Sequence, residues 1–183
     1  MARAAQSTGP AAKPASTSTP ERVKQATNVM AIIDAVGALS SGTLAGSLFL
    51  FDNNRWAGST GHGASRLSTV AQEGDVVVWT TMALECEAFV RLELVMIDIV
   101  YTDYIELDAA AFSETPEIYW FAKVLKPLPA AGVPYRLSYR LGNADEPYFA
   151  PVESRLVPPP LTLAPVPGLT EKRPLEPNQG DAK

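Results

Sequence analysis

Few residues in this chain have the chemistry for catalysis. His62 is the only histidine and stands in Gly58-Ser59-Thr60-Gly61-His62-Gly63, with serines nearby. A Ser-His-Asp arrangement can be drawn from such residues, but it works only when the nucleophile sits on a rigid, strained element beside an oxyanion hole. Neither a Gly-x-Ser-x-Gly segment nor a second candidate base accompanies it. The expected state of His62 is a solvated loop histidine, and no catalytic residue is assigned. One histidine and one cysteine also fall short of the three or four nitrogen and sulfur ligands that zinc takes. No metal or other cofactor is expected. The cysteine, Cys86, lies in Leu84-Glu85-Cys86-Glu87, where acidic neighbours disfavour a thiolate, so it reads as structural.

Binding is better served. Asp52, Asn53 and Asn54 offer short acid and amide side chains to the hydroxyls of a sugar, and Trp56 offers a ring to its apolar face. The same Asp-Asn-Asn run also makes a turn unaided, because these residues tolerate the left-handed region and hydrogen-bond their own backbone. That is the favoured reading, with a glycan kept as a candidate ligand. No EF-hand spacing surrounds Asp52, so calcium is not expected. A second acidic run, Asp98, Asp103, Glu106 and Asp108 around Tyr101 and Tyr104, contains the residue types of a glycosidase pair. Acids between strands are more often a solvated connection, and they are read so here.

These side chains must be positioned by strands. Asn28–Asp34 and Ser47–Phe51 are short apolar runs suited to strands covered on both faces, and Asp75–Thr81 follows a Glu-Gly turn signal. In Phe89–Ile97, Val90, Leu92, Leu94 and Met96 alternate with Arg91 and Glu93. Glu117–Leu125 and Val133–Leu141 continue the scheme, the latter with Tyr135, Leu137, Tyr139 and Leu141 on one side. A helix is hard to place: the one segment that offers a helical turn, Asp108–Ser113, is too short to hold it without tertiary support. The sequence therefore predicts an all-β fold, an antiparallel, jelly-roll-like β-sandwich. In Tyr119-Trp120-Phe121, neighbouring rings face opposite sides of a strand. At least one large ring is then left outside unless a second subunit covers it, which points to a homo-oligomer, a dimer or higher.

The chain has 183 residues, of which 46% are apolar and 19% charged, enough for one real core. Residues 1–26 are rich in Ala, Ser, Thr and Pro, and residues 158–183 are rich in Pro, so both are expected to be disordered ends of a domain spanning 27–157. The net charge of −5, without a basic block, argues against nucleic acid. No apolar run reaches the length of a membrane span and no export signal is visible, so no membrane is expected. The lone cysteine excludes an internal disulfide and agrees with a cytoplasmic location.

Three stretches in order, the strand ending in Ile33-Asp34, then Leu50-Phe51-Asp52-Asn53-Asn54, then Glu73-Gly74-Asp75-Val76-Val77-Val78-Trp79, resemble the AidA/PixA inclusion body proteins. The likeness spans about Val29 to Arg140 and leaves both ends unmatched. It implies a small bacterial cytoplasmic β-sandwich that accumulates abundantly, under quorum or growth-phase control, and is not an enzyme. Carbohydrate binding is implied for some members. The long arm and the Pro-rich tail depart from the pattern and put packing into inclusions in doubt.

Overall fold

In this computed structural model, residues 26–113 and 118–160 are described. The first strand, β1 (Ala26–Ile33), sends Thr27, Val29, Ala31 and Ile33 to one side, and all four are buried. Asp34 then caps a short helix, α1 (Ala35–Ser41), its carboxylate accepting from the Gly37 N–H, and Gly42 ends the helix in the left-handed region at φ 70°. Glu85 arrives from a distant loop and accepts from the Ala35 and Val36 N–H groups at 3.1 and 3.3 Å. Seven residues with a glycine and two serines do not hold a helix alone, so these carboxylates and the burial of Ala35 and Ala38 carry it.

The chain continues through β2 (Leu48–Asp52), β3 (Ser68–Val70), β4 (Val76–Ala83), β5 (Val90–Ile97), β6 (Ile105–Ala111), β7 (Ile118–Val124), β8 (Val133–Leu141), β9 (Tyr148–Phe149) and β10 (Ser154–Val157). Among the described residues these form two sheets. One has the order β2-β1-β4-β7-β6, and the other β3-β10-β8-β5, with β9 also paired to β8. Val29, Leu50, Val77, Trp79 and Ala122 from the first sheet meet Leu92, Tyr135, Leu137, Tyr139 and Leu156 from the second in one core. The Trp79 and Tyr135 rings pack edge to face at 5.3 Å. Burial pushes the Tyr135 phenol up to about 12 and also raises Tyr139, because the charged phenolate is disfavoured inside the core.

The all-β, two-sheet architecture is the expected one, with three corrections of detail. The pairing is not wholly antiparallel: β1 runs parallel to β4 and β3 parallel to β10. A parallel neighbour needs a long crossover, and between β1 and β4 it is made by α1, β2, β3 and their loops. The helical turn offered by Asp108–Ser113 is instead the end of β6, whose seven residues all pair with β7. Ladder pairing there overrides the helical preference of three consecutive alanines. A bulge between Leu92 and Leu94 shifts the phase of β5, so Leu92 and Val95 are buried and Leu94 lies outside. The expectations for residues 1–25 and 161–183 lie outside the described residues, while Pro160 follows β10 and packs beside Gly58.

Candidate functional site

The loop leaving β2 is built by strand alternation. Leu48 and Leu50 face the core, so Asp52, two residues on, faces inward as well, and its side chain is fully buried. Its Oδ1 accepts from the Asn54 N–H at 2.8 Å and lies 3.0 Å from His62 Nε2, while its buried Oδ2 has no partner. Asn53 extends the β1 ladder with its side chain: Oδ1 accepts from the Asn28 N–H at 2.9 Å and Nδ2 donates to the Ala26 carbonyl at 3.3 Å. Asn54 is buried, and its Nδ2 donates to the Val70 carbonyl at 2.6 Å and to Thr27 Oγ1 at 3.2 Å. Trp56 sits on the following 3-10 turn (Arg55–Ala57) and is 100% exposed. Asp52, Asn53 and Asn54 are thus brought together in a turn, with their polar atoms largely engaged inside the protein. Trp56 stands apart from them in solvent. The surface groove between Gly42–Leu44 and Ala144–Phe149 belongs to other loops.

His62 is not the solvated residue expected from its glycine-rich surroundings. Its side chain is 15% exposed and held against Asp52. The loop carrying it runs back along β2, where the Gly63 N–H donates to the Leu50 carbonyl at 2.8 Å and the Leu50 N–H to Ala64 O at 2.9 Å. Gly61, at φ 91°, has no room for a Cβ against the Arg66 carbonyl, which forces the tight path. Among the described residues no serine hydroxyl hydrogen-bonds the His62 ring, and the Ser59 hydroxyl is buried, accepting from the Val70 N–H. The His62–Asp52 pair orients the loop.

The acidic run is divided among separate tasks. Asp98 caps a 3-10 turn at Val100, Asp103 pairs with Lys126 at 3.3 Å, and Glu106 and Asp108 lie exposed on β6. No cluster that could hold a metal occurs among the described residues. Cys86 is exposed.

The larger feature is the outer face of the first sheet. Because Val29, Ala31, Val77 and Trp79 point inward, Met30, Ile32, Val76, Val78 and Met82 point outward, joined by Phe49 and Phe51 of β2. On β7, Trp120 faces inward opposite Trp79, so Tyr119 and Phe121 face outward. Phe112, Tyr119 and Phe121 form a row with ring centroids 4.7 and 6.2 Å apart. Phe51, Met82 and Phe112 are 37, 49 and 45% exposed. The outside of the second sheet is more charged, carrying Arg91, Glu93, Arg136, Arg140 and Arg155 around the exposed Leu94 and Phe149. There Arg140 pairs with Glu93 at 2.6 Å. A sandwich face that meets water is normally polar; here the first outer face is mainly apolar, with Asn28, Thr80 and the Lys123–Glu106 side as its polar places, and the second mainly charged. The sequence marks Asn28–Asp34 and Ser47–Phe51 as covered on both faces and leaves at least one ring of Tyr119-Trp120-Phe121 outside, but it does not join them into one surface. The same signal, apolar residues of both parities, is present in Asp75–Thr81.

The profile of a family described as a domain of unknown function, DUF8788, matches residues 25–146. The chain belongs to this family. The family's description states no activity, and no match is found among the curated proteins. A solved structure is similar, the crystal structure of the inclusion body protein PixA from Burkholderia cenocepacia J2315. It aligns with a TM-score of 0.60 and 14% identity, over 77% of this chain and 100% of that chain. At that identity the likeness is one of fold, and it agrees with the resemblance drawn from the three stretches between Ile33 and Trp79. Among the described residues no helix is long and apolar enough to cross a membrane.

Proposed function

We propose that this DUF8788 chain is a non-catalytic, self-associating β-sandwich that packs against copies of itself through the outer face of its first sheet. The observation that carries the reading is the contrast between that apolar face and the charged outer face of the second sheet. Apolar side chains spread over neighbouring strands gain roughly 25 cal/mol for each Å2 removed from water, which favours covering them. A second copy is the economical cover because the face carries both charge signs at one side, Lys123 on β7 beside its cross-strand partner Glu106, with Asp108 next along β6. A two-fold copy can set one chain's Lys123 against the other's acids. The structural likeness to an inclusion body protein supports the same reading, and a cytoplasmic location goes with it. Phe121→Glu places an unpaired charge in the middle of the face. Light scattering at matched concentration is expected to give a smaller mass for that variant than for the parent chain, with an unchanged circular dichroism spectrum. Equal masses would remove the reading.

A second reading, glycan binding at the Asp52–Trp56 loop, draws on the complete exposure of Trp56. A solvent-facing tryptophan is a stacking platform for a sugar ring. With Asn54 buried, the polar contacts would come from Asn53 and the loop backbone. Titration with simple sugars, followed by tryptophan fluorescence in the parent chain and in Trp56→Ala, tests it. A response that survives Trp56→Ala, or no response at all, removes it.

A further inference from the structure

Each sheet has two edges, and an open edge is a template for another strand. Three of the four are blunted. The loop of residues 60–68 lies along β2 through Leu50 and Ala64, and the same loop reaches β3, itself only three residues long, through Thr60 and Ser68. The fourth strand of the second sheet, β5, is broken by its bulge between Leu92 and Leu94. The edge at β6 is neither covered nor interrupted; its guard is local, the exposed acids Glu106 and Asp108, the latter accepting from the outward-facing Ala109 N–H at 2.7 Å, a contact that a pairing strand must displace. The strand is seven residues long, pairs with β7 without interruption, and ends in Ala109-Ala110-Ala111, small residues that let a second backbone approach. Among the described residues nothing pairs with its far side.

We propose that β6 pairs with β6 of a second copy in antiparallel register about Ala109, joining the two first sheets into one ten-stranded sheet. The inference rests on the self-association reading and specifies a second surface for it. A two-fold axis through such a ladder must pass between one residue and its own copy, which leaves few choices. Centring on Leu107 sets Glu106 against Asp108, and centring on Asp108 sets two copies of that carboxylate against each other, both repulsive. Centring on Ala109 sets Glu106 against Phe112 and Asp108 against Ala110, opposes no two acids, and gives the longest ladder that the described residues allow. The axis is perpendicular to the sheet, so the outer apolar faces of the two copies lie on the same side. The Phe112, Tyr119 and Phe121 rows then meet across the new junction. An edge contact and a face contact, each two-fold and on different surfaces, can be made by one chain at the same time. Together they build an assembly larger than a dimer, closed at four chains where the two axes meet and open-ended where they do not.

Directly opposed residues of an antiparallel pair have Cα atoms about 4.5–5.5 Å apart, within reach of a disulfide. In a Cys86→Ser background, Ala109→Cys is expected to form a disulfide-linked dimer under mild oxidation about tenfold faster than a control cysteine at the exposed Ala45→Cys position, since only paired edges hold the thiols together. Light scattering on the same samples separates the two claims. A rate at position 109 no faster than at 45, with the mass still above that of one chain, overturns the edge pairing and leaves the face reading intact. The same slow rate with a monomeric mass overturns both.

Discussion

Asn54 ties the candidate loop to the body of the sandwich, and its truncation has a magnitude that follows from its partners. Asn54→Ala removes two hydrogen bonds, the 2.6 Å donation to the Val70 carbonyl and the 3.2 Å donation to Thr27 Oγ1. Thr27 and Val70 are 1% and 3% exposed, so water cannot readily replace the lost amide. A net hydrogen bond contributes about 1 kcal/mol, and a buried polar atom left without one costs about 1–3 kcal/mol. The two losses overlap, so the expected destabilisation is about 2–4 kcal/mol. With a urea dependence of about 1–3 kcal/mol per molar, the unfolding midpoint should fall by roughly 1–2 M at unchanged slope. Protein concentration must be held fixed, because association adds to apparent stability. Trp56→Ala is the control: its ring is fully exposed, and the expected change is within about 0.5 kcal/mol. If Asn54→Ala moved the midpoint no more than Trp56→Ala, the amide would not be anchoring the loop and the buried-turn account of Asp52 to Asn54 would fail.

Two predictions concern pH. Burial works to raise the Glu85 carboxyl, yet the hydrogen bonds from its own N–H and those of Ala35 and Val36 outweigh burial and hold it below its usual 4.5. A folded value below the unfolded one gives stability that is present above the unfolded value and is lost as pH falls through the folded one. Acid titration of the unfolding midpoint should therefore show a loss below pH 4.5 that is smaller in Glu85→Gln, and identical acid limbs would contradict the cap. At the other end, Tyr135 is raised to about 12 and Tyr139 is raised as well, so the folded state retains protons that the unfolded chain releases near 10. Stability should fall as pH climbs from 10 towards 12, with phenolate absorbance from these two residues appearing only as the fold opens. Smooth ionisation of every tyrosine near 10 in the folded protein would refute their burial.

What could be read from the sequence follows from where one period dominates. Tyr135, Leu137, Tyr139 and Leu141 alternate cleanly, and β8 spans Val133–Leu141, the stretch that the alternation marks. By contrast the alternation of Ile105, Glu106, Leu107 and Asp108 at the start of β6 is a strand signal that the acidic-connection reading misses, and the three alanines that follow carry no period, so there the ladder with β7 decides. The helix α1 depends on Glu85, fifty residues away in the chain, and a local window cannot contain that partner. Leu94 misled because the bulge in β5 shifts the phase without changing composition. At the loop, the turn chemistry of Asp52 to Asn54 was legible, since these side chains cap backbone wherever they occur. The burial of His62 was not, because a glycine-rich surrounding says nothing about a carboxylate ten positions earlier.

Self-association through the mainly apolar outer face of the first sheet is a proposal about this DUF8788 sandwich that mass in solution decides. Sedimentation of the unmodified chain over a wide concentration range tests it most directly. The weight-average mass should climb from the 19.6 kDa of a single chain towards twice that value and beyond as concentration rises. A mass that stays at 19.6 kDa up to near-millimolar protein would contradict it.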